Sequence, residues 1–236
     1  MHMDWAAEVK RRVVYVFDRH ARLSYAQEGE DRLLQRLFEG RTEGFYVDVG
    51  AHHPKRFSNT YLFYTLGWCG INIEANPQAN ALFNRIRPRD TNLAQAISDH
   101  EGPVTYYMFA ESALNTLDGA LAEDRLRNTR YRLIGKSEIR PATLRSVLER
   151  WLPAGKQIDF LSIDVEGHEL SVLRSSNWTL HRPKVVLVES LRAAWGDLAE
   201  CDARRFLESV GYAWFAKTMN THFFVESDAR RTLGLA

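Results

Sequence analysis

Apolar residues along this chain follow two rhythms that take turns. Trp5, Val9, Val13, Val16 and Phe17 recur mostly at steps of three and four, which predicts an amphipathic helix over residues 4–20. Leu33, Leu34, Leu37 and Phe38 predict a second helix closed by Gly40. The rhythm then shortens: FYVDVG (45–50) is an apolar run ending in Asp and Gly, as expected of a buried strand feeding a turn. SNTYLFYTLG (58–67) returns to helical spacing, with Gly67 placed to end the helix in a left-handed backbone. GINIEANP (70–77) repeats the plan, with strand INIE, Asn76 as N-cap and Pro77 at the first helical position. LAQAIS (93–98) predicts a third strand, and VTYYMF (104–109) alternates in the manner of an antiparallel one.

Residues 110–142 break the pattern. They are polar, rich in Arg and Asn and without a sustained period, so they read as a lid or substrate loop. Leu144, Val147, Leu148 and Trp151 mark the next helix. IDFLSID (158–164) predicts the fourth core strand, HELSVLRS (168–175) its helix, KVVLVES (184–190) a fifth strand, and RRFLESVGY a helix ended by Gly211. YAWFAK and THFFVE, separated by Thr218, Met219 and Asn220, predict a closing hairpin. Strands alternating with helices imply an α/β fold, a mostly parallel sheet with helices on both faces. A chain of 236 residues, 45% hydrophobic and 26% charged, supports one domain over 1–236 with 1–40 as an N-terminal helical segment.

Composition narrows the partners. A formal net charge of +1 gives no bulk attraction to nucleic acid or an anionic membrane, which leaves a small-molecule or glycan substrate; a homo-oligomer stays open. The two cysteines, Cys69 and Cys201, lack the spacing of a zinc or redox site. MHMDWAAEVKRR holds no apolar signal core, and no run approaches the roughly 18 apolar residues of a membrane helix. The expectation is an unexported, cytoplasmic protein with no transmembrane segment.

In a parallel sheet, ligands bind beyond the carboxyl ends of the strands. Polar residues stand at five such ends: Asp48, Glu74, Ser98 with Asp99, Asp164 and Glu189. Glu74 closes the second strand about 24 residues after Gly50, near the roughly 20 expected of an acid that accepts both ribose hydroxyls; a capping role before Asn76-Pro77 is the alternative. The turn GAHHPKRFSN has one glycine and bulky histidines in place of G-x-G-x-x-G, which disfavours a pyrophosphate. A phosphate-free nucleoside such as S-adenosylmethionine needs less: one glycine for close approach and one acid.

Four quoted stretches carry a resemblance: YAQEGEDRLLQRLF, FYVDVGAHHPKRFSNTYLFYTLGWCGINIEANP, IDFLSIDVEGHELSVL and NTHFF, in that order over roughly residues 24–226. Together they resemble the FkbM family of S-adenosylmethionine-dependent methyltransferases. The resemblance implies the class I methyltransferase (Rossmann-like) fold, a seven-stranded sheet whose last strand runs antiparallel. By position it implies that Asp48, Gly50 and Ala51 form the cofactor turn, that Ser58, Asn59 and Thr60 open the helix beside it, that Glu74 holds the ribose, and that Ser98 and Asp99 meet adenine. It also implies O-methylation, with a sugar hydroxyl in a glycan or glycolipid precursor as the favoured acceptor.

Asp164, Glu166, His168 and Glu169 would then flank the methyl group. His168 is the first choice for the base that takes the acceptor's proton, with Asp164 and Glu189 as the catalytic carboxylates; His168 capping or packing the next helix is the competing reading. The family pattern does not supply the base. His52 and His53 with Asp164, His168 and Glu189 also offer ligands for a divalent metal, which is not predicted but would suit a metal-dependent hydrolase. A non-catalytic nucleoside-binding module is the third class. Gln27, Glu30 and Asp31 line a cofactor entrance or cap a helix, and Arg125, Arg127, Arg130, Tyr131 and Arg132 either form a solvated face or recognise the phosphates of a nucleotide-linked sugar.

Overall fold

The computed structural model describes residues 20–190 and 202–235; nearly all of the helix expected over 4–20, and Cys201, lie outside them. Seven strands form one sheet: β1 (Phe45–Val49), β2 (Cys69–Glu74), β3 (Thr91–Ala94), β6 (Phe160–Ile163), β7 (Val185–Glu189), β8 (Tyr212–Lys217) and β9 (Thr221–Glu226). Their order is β3-β2-β1-β6-β7-β9-β8, all parallel except β9, which runs antiparallel to both neighbours. The order and the single reversed strand match the sheet that the resemblance implies. β4 (Val104–Phe109) and β5 (Leu133–Ile139) form a separate antiparallel pair.

Alternation along the central strands builds two cores. Val47 and Val49 of β1, Leu161 and Ile163 of β6, and Val186 and Val188 of β7 face one side, where α5 (Leu144–Trp151), α6 (Glu169–Arg174) and α7 (Asp202–Ser209) cover them through Val147, Leu148, Val172, Leu173 and Leu207. Tyr46, Phe160, Val185 and Leu187 face the other side, against Leu34 and Leu37 of α1 (Glu30–Leu37) and Leu62 and Phe63 of α2 (Tyr61–Thr65). Helix α3 (Pro77–Ile86) starts as its sequence demands, with Asn76 accepting from Gln78 N at 3.0 Å and Pro77 first in the helix. A last short helix, α8 (Ala229–Thr232), closes the chain.

Two expectations change. The third strand stops at Ala94 rather than running to Ser98, because the chain then leaves the sheet and Ile97 bridges Ala142. Residues 110–142 are not irregular: they hold a 3-10 turn (Ser112–Leu114), α4 (Gly119–Asn128) and β5. Helix α4 buries only Ala122 and Arg125, and β5 alternates between half-buried and exposed positions, so neither carries an apolar stripe a sequence reading can detect.

Candidate active site

The strand order reverses between β1 and β6, and a cavity of about 340 Å³ opens over their carboxyl ends. Gly50 forms its floor. Its φ of 79° is left-handed, and a methyl group there would overlap the backbone carbonyl of Asp164, so the crossing of the two strand ends requires glycine. Gly50 N donates to Ile73 O at 2.9 Å and Asp164 N to Val49 O at 3.0 Å, extending both ladders past the strands. Beside them Glu74 accepts from His52 N and Asn76 N, both at 2.8 Å, one on each carboxylate oxygen. That orients the carboxylate and leaves a lone pair per oxygen toward the cavity it lines.

Beyond β6 and β7 the cavity wall is acidic, and register explains why. Ser162 pairs with Leu187, so two residues further along each parallel strand Asp164 meets Glu189 on the same face. Ligand oxygens of Asp164, Glu166 and Glu189 lie within 4.8 Å of one another, a set able to hold a cation or share a proton. Glu189 is 9% exposed, and its Oε2 is buried without a donor among the described residues. Burial, then the negative charge of Glu189, holds the Asp164 pKa well above the carboxylate range, and burial pushes Glu189 up to about 7. Glu166 is also raised by burial, against the pull of Arg125, whose guanidinium pairs with it. Glu169 caps the turn through Gly167 N (2.9 Å) and Val165 N (3.3 Å), and burial raises it to about 7.

Three segments wall this end. Residues 24–31 form a strap across the hairpin tip: Glu28 accepts from Asn220 N (2.9 Å) and Asn220 Nδ2 (3.0 Å), and Glu30 accepts from Thr218 Oγ1 (2.7 Å). The excursion from β4 to β5 is pinned to the acidic turn by Thr116 Oγ1 donating to Glu166 O at 2.6 Å and by the Arg125–Glu166 pair. Across the mouth, Arg56 of the turn after β1 pairs with Glu111 at 3.1 Å. Phe57, at a left-handed φ of 57° and 42% exposed, lines the space between.

Of the residues expected at the site, Gly50, Glu74, Asp164 and Glu189 line the cavity, as does Gln27. Asp48, Ala51, Ser58 and Thr60 are buried behind the wall: Thr60 Oγ1 donates to Asp48 at 2.7 Å and receives Arg87 Nη2 at 2.8 Å, so they brace the turn. Asn59 borders a recess of about 20 Å³ that continues from the cavity, its Nδ2 donating to Ser162 Oγ at 3.1 Å. Asp31 is buried and accepts from Ser24 Oγ and Tyr25 N, both at 2.7 Å, and Glu30 joins it in tying the strap.

His168, expected beside the methyl group, does not line the cavity. It stands at the N-cap position of α6 without a side-chain capping bond, and its Nε2 lies 3.0 Å from Ser98 Oγ. Ser98 and Asp99 are likewise turned to α6, Asp99 accepting from Ser171 Oγ, and Gln95, Ala96 and Ile97 line the cavity in their place because the chain has already left the sheet. His52 lines the cavity while His53 does not; their ring centroids lie 6.3 Å apart, and His53 Nδ1 accepts from the backbone N–H groups of Lys55 and Arg56. The candidate metal set therefore contains neither of them, nor His168, but Glu166. Arg125 is committed to Glu166, Arg127 pairs with Glu123, Arg130 and Arg132 are exposed, and Tyr131 lines the cavity. Tyr106, Asn115 and Asn220 also line it, and the sequence marks them only as a strand position, a polar loop and a turn.

The chain was compared with known proteins. Residues 48–213 match the Methyltransferase FkbM domain. A search of curated proteins returned no match. Among solved structures, a TehB-like SAM-dependent methyltransferase from Corynebacterium glutamicum aligns at 10% identity and a TM-score of 0.41, over 94% of this chain and 97% of that one. A 1,6-didemethyltoxoflavin-N1-methyltransferase from Burkholderia thailandensis, solved with 1,6-didemethyltoxoflavin and S-adenosylhomocysteine, aligns at 12% identity and a TM-score of 0.42, over 94% and 85%. Since the matched region covers well over half of the chain, from Asp48 past the acidic turn at 164–169, the chain belongs to the FkbM methyltransferase family.

Proposed function

We propose that the protein transfers the methyl group of S-adenosylmethionine to a hydroxyl of a sugar, in a glycan or glycolipid precursor. The observation that carries this reading is a single cavity lined by a glycine cradle at Gly50, the Glu74 carboxylate and the Asp164–Glu189 pair. Gly50 leaves room that any side chain would fill, and Glu74 keeps lone pairs for two ribose hydroxyls, so these residues fit a nucleoside. Gln95, Ala96 and Ile97 offer backbone and apolar contacts to its base. When bound, S-adenosylmethionine supplies the methyl carbon as an electrophile on a sulfonium, the S–C electron pair staying on sulfur as the new O–C bond forms.

The chain's own part is to hold the acceptor hydroxyl and take its proton. Burial raises the proton affinity of both Asp164 and Glu189, the charge of Glu189 adding to it at Asp164, and Glu189 reaches about 7, where a general base is most effective. His168 does not line the cavity and meets Ser98 instead, so this reading gives it no part in the step. The strap, the hairpin tip and the pinned excursion exclude water from the reacting atoms.

Titration calorimetry with S-adenosylhomocysteine tests the cofactor half. Glu74→Ala should weaken binding by roughly tenfold to hundredfold, the loss of hydrogen bonds to a charged acceptor. Unchanged affinity in that variant, or no heat from the parent protein, would overturn the assignment.

A further inference from the structure

We infer that the rim of the cavity mouth docks on the surface of an anionic lipid bilayer, through exposed apolar side chains and a basic strip beside them. The inference does not depend on what the cavity itself binds. Nine large apolar side chains are exposed among the described residues, and six of them stand on segments at the carboxyl edge of the sheet, where the cavity opens. Phe57 and Tyr131 line the cavity, Leu126 follows the cavity-lining Arg125, Ile134 lies three residues past Tyr131, and Met219 precedes the cavity-lining Asn220 at the hairpin tip. Leu23 leads into the strap that crosses this tip. With Met219 70%, Leu23 64% and Ile134 59% exposed, these side chains project into solvent rather than pack on the protein. The other three, Leu66, Trp151 and Leu180, stand singly in the connections that enter β2, β6 and β7 at the opposite edge. Scattered apolar side chains are ordinary on a protein surface, but their gathering around one opening marks a surface that meets something.

Charge chooses the partner. The whole chain carries a net charge of only +1, yet between Arg125 and Arg140 six basic residues stand against one acid, Glu138. Arg125 is buried against Glu166 and Arg127 pairs with Glu123, whereas Arg130, Arg132, Lys136 and Arg140 are exposed and pair with no carboxylate among the described residues. Alternation along β5 puts Ile134 and Lys136 on its exposed face, so an apolar and a basic group project side by side. The headgroup layer of an anionic bilayer rewards that combination: the headgroups attract guanidinium and ammonium groups, and the acyl boundary beneath takes up Leu, Ile and Met side chains. A soluble polyanion would satisfy the cations and give the aliphatic side chains nothing. Docked in this way, the cavity mouth faces the headgroups.

Co-sedimentation with large unilamellar vesicles tests this, with phosphatidylcholine alone set against phosphatidylcholine and phosphatidylglycerol at about two to one. The protein should bind the mixed vesicles at least roughly tenfold more tightly than the neutral ones, and about 0.5 M salt should remove most of the difference. Arg130→Ala combined with Arg132→Ala should weaken binding by roughly tenfold to thirtyfold, at about fivefold per cation. Ile134→Asp and Met219→Asp should each weaken it by roughly tenfold, the loss of a partly inserted apolar side chain. Leu180→Asp, at a comparably exposed position on the opposite edge, should leave it unchanged. All these side chains are exposed, so the circular dichroism and Tm of each variant should match the parent. Equal affinity for the two vesicle types, no sedimentation of the parent at low salt, or the same loss from Leu180→Asp overturns the inference. Binding that falls with the arginines but not with Ile134→Asp and Met219→Asp assigns the strip to a soluble polyanion and overturns it as well. S-adenosylhomocysteine calorimetry on the same samples reads the cavity separately: absent heat sinks the methyltransferase reading and leaves the docking surface standing.

Discussion

Replacing Glu189 by glutamine should stabilise the protein, and the gain should grow with pH. Burial raises the Glu189 pKa from 4.5 to about 7 and the charges of Glu166 and Glu169 add to it, although the hydrogen bond with Asp164 opposes them. Below the unfolded value the carboxyl is protonated in both states and makes no difference. As pH rises, the unfolded chain ionises first while the folded chain holds its proton, so stability falls until the folded value is passed and then levels off. A rise from 4.5 to about 7 corresponds to about 3 kcal/mol lost by about pH 8.5, but only about 1 kcal/mol by about pH 5. Glutamine keeps the shape, removes the charge and can donate its amide to Asp164. Glu189→Gln should therefore raise Tm by roughly 6–12 °C at the higher pH and by roughly 2–4 °C at the lower. Scanning calorimetry at the two pH values checks this. Equal gains at both, or a loss at the higher, would show that Glu189 ionises in its ordinary range and that the carboxylates are not coupled. Methyl transfer by the variant should fall by roughly a hundredfold to ten-thousandfold, because the pair loses its shared proton acceptor.

Gly50→Ala places a methyl against the Asp164 carbonyl and forces a left-handed backbone on alanine, so S-adenosylhomocysteine heat should vanish in calorimetry while the circular dichroism spectrum keeps its α/β shape. Arg87→Met removes a guanidinium that is fully buried with Asp90 at 3.1 Å and that also holds Thr60; urea unfolding should show a loss of about 3–5 kcal/mol, and a loss below about 1 kcal/mol would mean the ion pair contributes nothing net. His168→Asn should leave kcat within about threefold of the parent, since the ring meets Ser98 and not the cavity; a drop of about a hundredfold would restore His168 as the base. Chelation with EDTA should change turnover by less than about twofold, because Arg125 already neutralises Glu166; recovery of lost activity by Mg²⁺ alone would instead seat a cation among Asp164, Glu166 and Glu189.

Strand identity was legible where burial is continuous. FYVDV and VVLVE are buried at every position, so their runs are apolar apart from Asp48 and the closing Glu189, and the strand ends at Gly50 and Glu189 could be named in advance. The turn after β1 was legible for a different reason: its single glycine and missing phosphate fingerprint are local chemistry. By contrast, LIGKSEI and GALAEDRLRN escaped notice because one pairs only with β4 and the other buries an alanine and an arginine, so neither owes its structure to an apolar stripe.

What the sequence determined by itself was the alternation of strand and helix, and with it the sheet edge at which Gly50, Glu74, Asp164 and Glu189 all emerge. Their distances from one another were not in it. Which strand lies beside which, and in what register, arises from long-range pairing, and that pairing sets Asp164 against Glu189. The same tertiary packing puts α6 on the opposite face and carries His168 away to Ser98, and it joins Glu28 to Asn220 across 192 positions of chain. A period along the chain reports which face a residue takes; only the folded sheet decides what stands opposite.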